Sequence, residues 1–247
     1  MIFLFKVPVV ETVVGRINFV LEQCHGKKVL HLGCADEGFT NEKINKGNLL
    51  HLQISNVAKE TWGVDYSQEA IEFLKKNGFE NLFIGDIEQL GTIKKLKGEE
   101  FDVILLTEVL EHLNNPGASL LEIKKLFSPK TRLIITVPNG LSFTRIKPAM
   151  KGYESVHPDH NYWFSFKTLE TLLRKNGYSI EKILVYTSYD YSVPIHQKIV
   201  EKINSLKNCT DSSKIQSSQK KNTSLEKQRT FMEKISQQLD LTVDISH

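Results

Sequence analysis

The chain has 247 residues, 40% of them hydrophobic, which is enough to bury one sizeable core. Its 32 basic and 29 acidic residues nearly cancel, so the composition provides no general electrostatic attraction for nucleic acid. Three cysteines, odd in number and far apart, argue against a disulfide framework and favour a reducing compartment such as the cytoplasm. Lys6 and Pro8 interrupt the apolar start, so neither a signal peptide nor a membrane span is predicted.

Short apolar segments alternate with helical patterns along most of the chain. Apolar residues recur at helical spacing from Val13 and predict a first helix that ends near Gly26; they are Val13, Val14, Ile17, Val20 and Leu21. Because strands that alternate with helices pair in parallel, we expect an α/β fold with a doubly wound, mostly parallel sheet. The predicted strands are 28–33, 61–65, 82–85, 101–107, 131–137 and 179–187, and the further helices are 67–77, 116–127 and 166–176.

The C-terminal part of the chain differs from the rest in composition. Residues 210–230 are polar and rich in Ser, Lys and Gln, which predicts a flexible linker. Phe231, Ile235 and Leu239 then lie four residues apart, which indicates a small docking helix. We therefore expect a main domain over residues 1–190 and a helical extension over residues 191–247.

The most informative segment is residues 28–40, in which an apolar strand leads into a turn of small residues. Gly33, Cys34 and Ala35 form this glycine turn, and only side chains of that size let the backbone approach a ligand closely. In an open parallel sheet, ligands bind beyond the carboxyl ends of the strands. We therefore expect the glycine turn to border a binding site.

Polar residues follow the next strands at the same edge of the predicted sheet. Asp65 ends the second predicted strand, where a carboxylate can accept hydrogen bonds from both hydroxyls of a ribose. Asp86 follows the third strand and could bind an adenine amino group, with Ile87 against the ring face. Thr107 and Glu108 follow the fourth strand. Each acid taken singly could instead cap the helix that follows it.

The order of these motifs resembles that of the class I S-adenosylmethionine-dependent methyltransferases, over about residues 11–187. The resemblance implies a Rossmann-like methyltransferase fold in which the glycine turn wraps the methionine part of the cofactor. It also implies that Asp65 binds the ribose and that Asp86 and Ile87 contact the adenine. Residues 101–113 and 133–140 resemble the fourth- and fifth-strand motifs. The implied S-adenosylmethionine-binding residues are Gly33, Cys34, Ala35, Asp65, Tyr66, Asp86, Ile87, Thr107 and Glu108.

Two residues depart from the family pattern. His31 stands where the family usually has an acid, and Ala35 stands where it usually has a second glycine. His31, together with segments 49–51 and 156–160, resembles a subgroup found beside polysaccharide and other glycan-building genes. That resemblance implies O-methylation of a small acceptor, a sugar or glycan precursor or a phenol-like molecule. The missing acid also leaves open a protein that binds S-adenosylmethionine without catalysis.

Three histidines are candidate catalytic residues, because methyl transfer to oxygen needs a base for the hydroxyl proton. His112 follows the fourth strand, while His157 and His160 lie in a loop over the same edge of the sheet. Asp159 could orient a neighbouring imidazole. In the other interpretation, His112 packs and caps a turn while the other two histidines fix the geometry of the loop.

A metal-dependent RNA methyltransferase is an alternative. Glu108, Glu111 and His112 have helical spacing, and with His160 they resemble the metal pattern of small-RNA 3′-end 2′-O-methyltransferases. The chain departs from that pattern after Asp159-His160 and lacks a basic body. We therefore predict no metal and no nucleic-acid partner.

A dinucleotide-dependent dehydrogenase is a weaker alternative. Gly33, Ala35 and Gly38 imitate a relaxed form of the glycine-rich dinucleotide motif. Asp65 lies well beyond the ~20 residues at which the ribose-binding acid of such enzymes follows the motif. No pattern for a hydride-transfer partner stands out, so the methyltransferase is preferred.

Overall fold

Alternating strands and helices build one eight-stranded sheet in the computed structural model, which describes residues 4–5, 13–187 and 240–246. The strand order is β1-β7-β8-β6-β5-β2-β3-β4, and every pairing is parallel except the two made by β8. The predicted doubly wound, mostly parallel α/β sheet is therefore confirmed. The strands are β1 (Val13–Gly15), β2 (Lys28–Leu32), β3 (Glu60–Asp65), β4 (Leu82–Ile84), β5 (Val103–Thr107), β6 (Arg132–Pro138), β7 (Ser179–Thr187) and β8 (Asp240–Ser246).

Three of the α-helices, α4, α5 and α7, begin at capping side chains. Ser67 accepts from the backbone N–H of Ala70 at one start, and Ser165 forms a capping box with Thr168 at another. No helix in the described part of the chain is both long enough and apolar enough to cross a membrane. The helices are α1 (Arg16–Cys24), α2 (Thr40–Asn45), α3 (Leu50–Ser55), α4 (Gln68–Lys76), α5 (Pro116–Lys124), α6 (Phe143–Ala149) and α7 (Phe166–Lys175), with 3₁₀ helices at Ile87–Thr92 and Lys94–Leu96.

The core lies on both faces of the sheet, because helices cover each face. Strand β5 is buried at all five positions, as expected for a central parallel strand. On β2, Leu30 and Leu32 belong to the cluster that includes residues of α5 and α7, whereas Val29 belongs to the cluster around α1 and α3. This alternation places the intervening His31 on the α3 side of the sheet.

The structure corrects two of the expectations. The first helix begins only at Arg16, because Val13–Gly15 pair in parallel with β7. Residues 240–246, expected in a helical extension, instead form β8, which lies between β6 and β7 and is antiparallel to both. The predicted linker 210–230 and the docking helix near 231–239 lie outside the described residues.

Candidate active site

The glycine turn follows β2 directly and is held on two sides. Gly33 has φ of +73°, and a Cβ atom there would lie 2.3 Å from Cγ2 of Val109. The backbone N–H groups of Gly33 and Cys34 both donate to the carbonyl of Val64, at 2.8 and 3.3 Å. A side chain at Gly33 would therefore be both strained and obstructed. The turn lies at the carboxyl edge of the sheet, as the sequence predicted.

Asp65, the last residue of β3, is 4% exposed and anchors the turn. Its Oδ2 accepts from the N–H of Ala35 at 2.9 Å, and its Oδ1 accepts from the N–H of Ser67 at 3.0 Å. Burial raises the pKa of this carboxyl, while the two backbone hydrogen bonds act in the opposite direction. A carboxylate has about four acceptor positions, so two remain for ribose hydroxyls. The residue therefore fits the nucleoside part of S-adenosylmethionine.

Tyr66 and Glu37 connect the end of β3 with the loop after the glycine turn. Tyr66 is 71% exposed and its hydroxyl donates to the Glu37 carboxylate, to which Ser67 Oγ also donates at 3.2 Å. The hydrogen bond to Glu37 is the main cause that raises the pKa of Tyr66 to about 12, and the charge of Asp159 adds to it. The sequence analysis did not single out Glu37. Its one signal is an acid placed four residues after Gly33.

Asp86 and Ile87 follow β4 at the same edge. Oδ1 of Asp86 accepts from the N–H of Glu88 at 2.8 Å, so this exposed acid caps the 3₁₀ helix that starts at Ile87. Ile87 is 7% exposed and belongs to the core. The capping interpretation of Asp86 is thus realised, and the adenine contact of the pair stays a prediction.

A pair of buried imidazoles lies on the α3 side of the sheet. His31 and His51 stack with ring centroids 5.6 Å apart, and their Nδ1 atoms are 3.4 Å apart. Nε2 of His31 lies 3.4 Å from Oγ1 of Thr107. Burial lowers the pKa of both rings, to about 4 for His51, so both are neutral near pH 7. His31, which stands where the family usually has an acid, is therefore part of a neutral pair with His51. Their positions in the sequence do not predict that they pair.

Glu108 follows β5 and has φ of +55°, which is rare for a residue other than glycine. Its Oε1 accepts from Oγ1 of Thr136 at 2.9 Å and from the hydroxyl of Tyr186. Thr136 lies on β6, the strand next to β5, whereas Tyr186 lies on β7, on the far side of β8. The direct contact with cofactor implied for Glu108 stays a prediction.

The three predicted catalytic histidines come together beside this segment. The ring centroids of His112 and His160 are 4.5 Å apart, and that of His157 is 5.7 and 5.3 Å from them respectively. We call these three residues the histidine cluster. The N–H of His112 donates to the carbonyl of Val109 at 2.9 Å, and the Val109 side chain lies against Gly33, so the cluster lies near the glycine turn.

Backbone contacts explain how a loop brings His157 and His160 to His112. The N–H groups of Asn161 and Tyr162 donate to the carbonyl of Glu111, at 2.8 and 3.2 Å. The Asn161 side chain also donates to the carbonyl of His112 at 2.8 Å. The loop is therefore docked along the chain that follows β5. This docking depends on residues about fifty positions apart and has no local sequence signal.

Two rings of the cluster, His112 and His160, are neutral near pH 7. Desolvation is the largest cause that lowers the pKa of His160 to about 4, and it also lowers the pKa of His112. Nδ1 of His160 is buried and has no hydrogen-bond partner among the described residues. The N–H of Asp159 donates to Nδ1 of His157 at 3.3 Å. The cluster thus offers imidazole lone pairs that can accept a proton or bind a metal ion.

Comparison with known families identifies the chain. Residues 12–183 match the family model described as a methyltransferase domain, which covers more than half of the chain. The chain belongs to this methyltransferase family. A methyltransferase domain agrees with the S-adenosylmethionine cofactor implied by the glycine turn and Asp65.

Curated relatives of the methyltransferase resemble it over part of their length. It is 26% identical over 134 residues to a ubiquinone biosynthesis O-methyltransferase of Haemophilus ducreyi, a match over 50% of this chain and 52% of the relative. It is 28% identical over 140 residues to the mitochondrial enzyme of the same name from Schizosaccharomyces pombe, over 53% and 47% of the two chains. The chain spans about half the length of these relatives.

Solved structures share its fold. A methyltransferase from Archaeoglobus fulgidus has a TM-score of 0.56 at 18% identity and covers 94% of this chain and 91% of its own. The magnesium protoporphyrin IX methyltransferase of Synechocystis, solved with bound S-adenosylhomocysteine, has a TM-score of 0.52 at 14% identity, with coverages of 94% and 81%. The Rossmann-like methyltransferase fold implied by the motifs is therefore confirmed.

Proposed function

We propose that this methyltransferase transfers a methyl group from S-adenosylmethionine to a hydroxyl oxygen of a small acceptor. The observation that carries the proposal is the histidine cluster, three imidazoles at the carboxyl edge of the sheet next to the cofactor-binding turn. Oxygen as the acceptor atom is supported by the curated relatives, which are named O-methyltransferases. A net charge of only +3 supports a small acceptor over nucleic acid.

The reaction is an in-line displacement at the methyl carbon. The acceptor oxygen forms the new O–C bond, the C–S bond of the sulfonium breaks, and S-adenosylhomocysteine leaves with the electron pair. The hydroxyl proton must go to a base. His160 suits this role, because its pKa of about 4 keeps the ring neutral at physiological pH and its buried Nδ1 has no other partner among the described residues. Alignment of the acceptor supplies the rest of the acceleration.

Aromatic side chains of the loop that carries His157 and His160 favour an acceptor that contains a ring. Tyr153 is 71% exposed and Tyr162 is 39% exposed. The Arg145 guanidinium lies 4.3 Å from the centroid of the Trp163 ring, which fixes that indole beside them. Exposed aromatic faces stack on the apolar face of a sugar or on a phenol. We propose a sugar or glycan-precursor hydroxyl first, from the subgroup resemblance, and a phenol second, from the curated relatives.

A methyl-transfer assay tests the proposal. The purified protein is incubated with radiolabelled S-adenosylmethionine and separate pools of nucleotide sugars, phenols and short RNA. We expect label in the sugar or phenol pool, with one S-adenosylhomocysteine released for each methyl group transferred. The Asp65→Ala variant serves as the control for cofactor-dependent labelling.

The other outcomes of this assay assign other functions. Label in the RNA pool alone would contradict the small-acceptor proposal. Binding of S-adenosylmethionine without transfer to any pool would favour a binding protein without catalysis. For the compartment we propose the reducing cytoplasm, which the free, buried thiols of Cys24 and Cys34 support.

A further inference from the structure

We propose that His112, His157 and His160 bind a divalent cation of the zinc, cobalt or nickel class, with one coordination position open to the acceptor hydroxyl. The site itself is inferred from the geometry of the three side chains. Only its role toward the acceptor rests on the proposed O-methylation. The proposed metal site differs from the prediction made from the sequence, which was that the protein binds no metal.

The geometry of the three rings is close to that of a metal site. Each ring offers one nitrogen, and these nitrogens all lie within 4.8 Å of one another. An ion at the centre of such a triangle would be about 2.8 Å or less from each nitrogen. Zinc–nitrogen bonds are about 2.0–2.1 Å long. A movement of about 0.7 Å by each ring therefore closes the site.

The surroundings permit that movement while they orient the rings. The His157 side chain is 55% exposed, so it has space to turn inward. Its Nδ1 accepts from the N–H of Asp159 at 3.3 Å, which places the ring proton on Nε2. Nδ1 also lies 3.8 Å from Oδ2 of Asp159, so the tautomer with its proton on Nδ1 can direct that proton at the carboxylate and leave the Nε2 lone pair for an ion. Such outer contacts hold ligating histidines in a fixed orientation. The docking of Asn161 on the carbonyl of His112 holds the loop in register.

The buried nitrogen of His160 independently points to a ligand. Its Nδ1 is shielded from solvent and has no hydrogen-bond partner in the described part of the chain. A buried polar atom without a partner destabilises the folded state, because its lost hydration is not replaced. This is its energetic cost. Coordination of an ion by this nitrogen would remove that cost. The same atom is the one we propose as the proton acceptor, so an ion here would replace a base by a Lewis acid.

The donor set determines the class of cation. Imidazole nitrogens favour zinc, cobalt, nickel and copper, whereas magnesium and calcium need oxygen ligands. The carboxylate of Glu108, a ligand in the alternative drawn from the sequence, is hydrogen-bonded to Thr136 and Tyr186 instead. The proposed site thus shares His112 and His160 with that alternative but has His157 instead of a carboxylate, and it should bind magnesium poorly.

Three protein ligands leave one position of a tetrahedral ion open. An acceptor hydroxyl bound there would lose its proton to solvent more readily, because the ion lowers its pKa. The resulting oxygen anion attacks the methyl group, the C–S bond breaks, and S-adenosylhomocysteine leaves. The ion undergoes no change in oxidation state, so the step needs no further reactant.

Metal titration of the tag-free, full-length protein tests the site directly. After treatment with a chelator and dialysis, the protein is titrated with Zn²⁺ against a chromophoric competitor, and separately with Co²⁺ and Mg²⁺. We expect one equivalent of Zn²⁺, Co²⁺ absorption bands typical of tetrahedral coordination, and no stoichiometric Mg²⁺ binding. Absence of stoichiometric Zn²⁺ binding would overturn the proposal.

Variants assign the binding to these rings. His157→Ala truncates an exposed loop side chain, so the fold should survive, and we expect Zn²⁺ affinity to fall about 100-fold or more. His160→Ala should have a similar effect, and His25→Ala, at an exposed position after α1, should have none. Circular dichroism and S-adenosylmethionine binding verify that each variant is folded. Equal Zn²⁺ affinity in wild type and His157→Ala would contradict the assignment.

The transfer assay then separates this inference from the proposed function. Zn²⁺ bound at the cluster without methyl transfer to any acceptor would overturn the O-methylation but leave the metal site. Full activity after metal removal would leave the O-methylation and overturn the role of the ion. Activity that is lost on metal removal and restored by Zn²⁺ or Co²⁺, but not by Mg²⁺, is the result we expect.

Discussion

At the scale of single residues, Asp65 has a structural role, and we propose that it also binds the cofactor. Its two oxygens already accept from the backbone of the glycine turn and of the chain leading into α4. Those two bonds orient the carboxylate, so its remaining lone pairs have fixed directions. A ligand that uses them meets an acceptor that is already ordered, which reduces the entropy lost on binding.

Replacing Asp65 with Ala should therefore weaken S-adenosylmethionine binding by at least about tenfold. Each hydrogen bond to a charged group contributes ~1.5–3 kcal/mol, and tenfold corresponds to about 1.4 kcal/mol. Calorimetric titration measures the change, with Glu72→Ala as a control, since that acid lies on the exposed surface of α4. Unchanged affinity in a folded Asp65→Ala protein would remove Asp65 from the site.

The His31–His51 pair should make stability depend on pH. Burial lowers the pKa of His51 from the ordinary 6.5 to about 4, so below pH 6.5 the unfolded chain binds protons more readily than the folded one. The stability associated with the neutral pair is fully present above pH 6.5 and is lost progressively as the pH falls toward 4. Thermal unfolding between pH 7 and 4 should therefore show a steep fall in Tm.

Variants isolate the contribution of the pair. His51→Leu removes one titrating group, so its Tm should fall less steeply over the same pH range, even if its Tm at pH 7 is lower. His25→Ala removes an exposed imidazole and should keep the wild-type slope. The same slope in His51→Leu as in wild type would show that the pair does not control acid stability.

At the scale of elements, β8 joins two parallel strands that would otherwise be edges. It pairs from Leu133 to Pro138 along β6 and from Ser179 to Tyr186 along β7. An unpaired edge exposes backbone donors and acceptors to other chains. The strand therefore links β7 and its neighbour β1 to the rest of the sheet. Tyr186 on β7 in turn donates to Glu108 at the active-site edge.

A proline in the middle of β8 tests this arrangement. Val243 pairs with Ile135 on one side and Ile183 on the other. Val243→Pro removes a backbone donor from the interior of the sheet and should lower the free energy of unfolding by about 3 kcal/mol or more. Val243→Ile keeps the N–H and the branching at Cβ, so it serves as the matched control. Chemical denaturation measures the free energy of unfolding of both variants. Equal values would argue against the pairing of β8 between β6 and β7.

At the scale of the whole molecule, one edge of the sheet gathers groups from distant parts of the chain. The glycine turn follows β2, Asp65 ends β3, and the histidine cluster joins the chain after β5 to the loop between α6 and α7. Parallel strands make this convergence possible, because their carboxyl ends all point to the same side. The fold therefore concentrates cofactor and acceptor chemistry in one place.

Much of this arrangement could be predicted from the sequence. The strands β2 to β7 lie within two residues of their predicted positions, because buried parallel strands appear as continuous apolar runs. Strand β8 was missed although Leu241, Val243 and Ile245 alternate with polar residues. A short alternating segment far from its partners does not show which strands it will pair with.

The sequence by itself determined the fold class, the cofactor and the place of Asp65, since these follow from local patterns repeated at each strand end. Only the tertiary structure decided that His31 stacks on His51, that Glu108 bonds within the sheet, and that three histidines share one cluster. The physical reason is that these contacts join residues whose separation along the chain carries no periodic signal. They form because packing and backbone hydrogen bonds bring particular surfaces together.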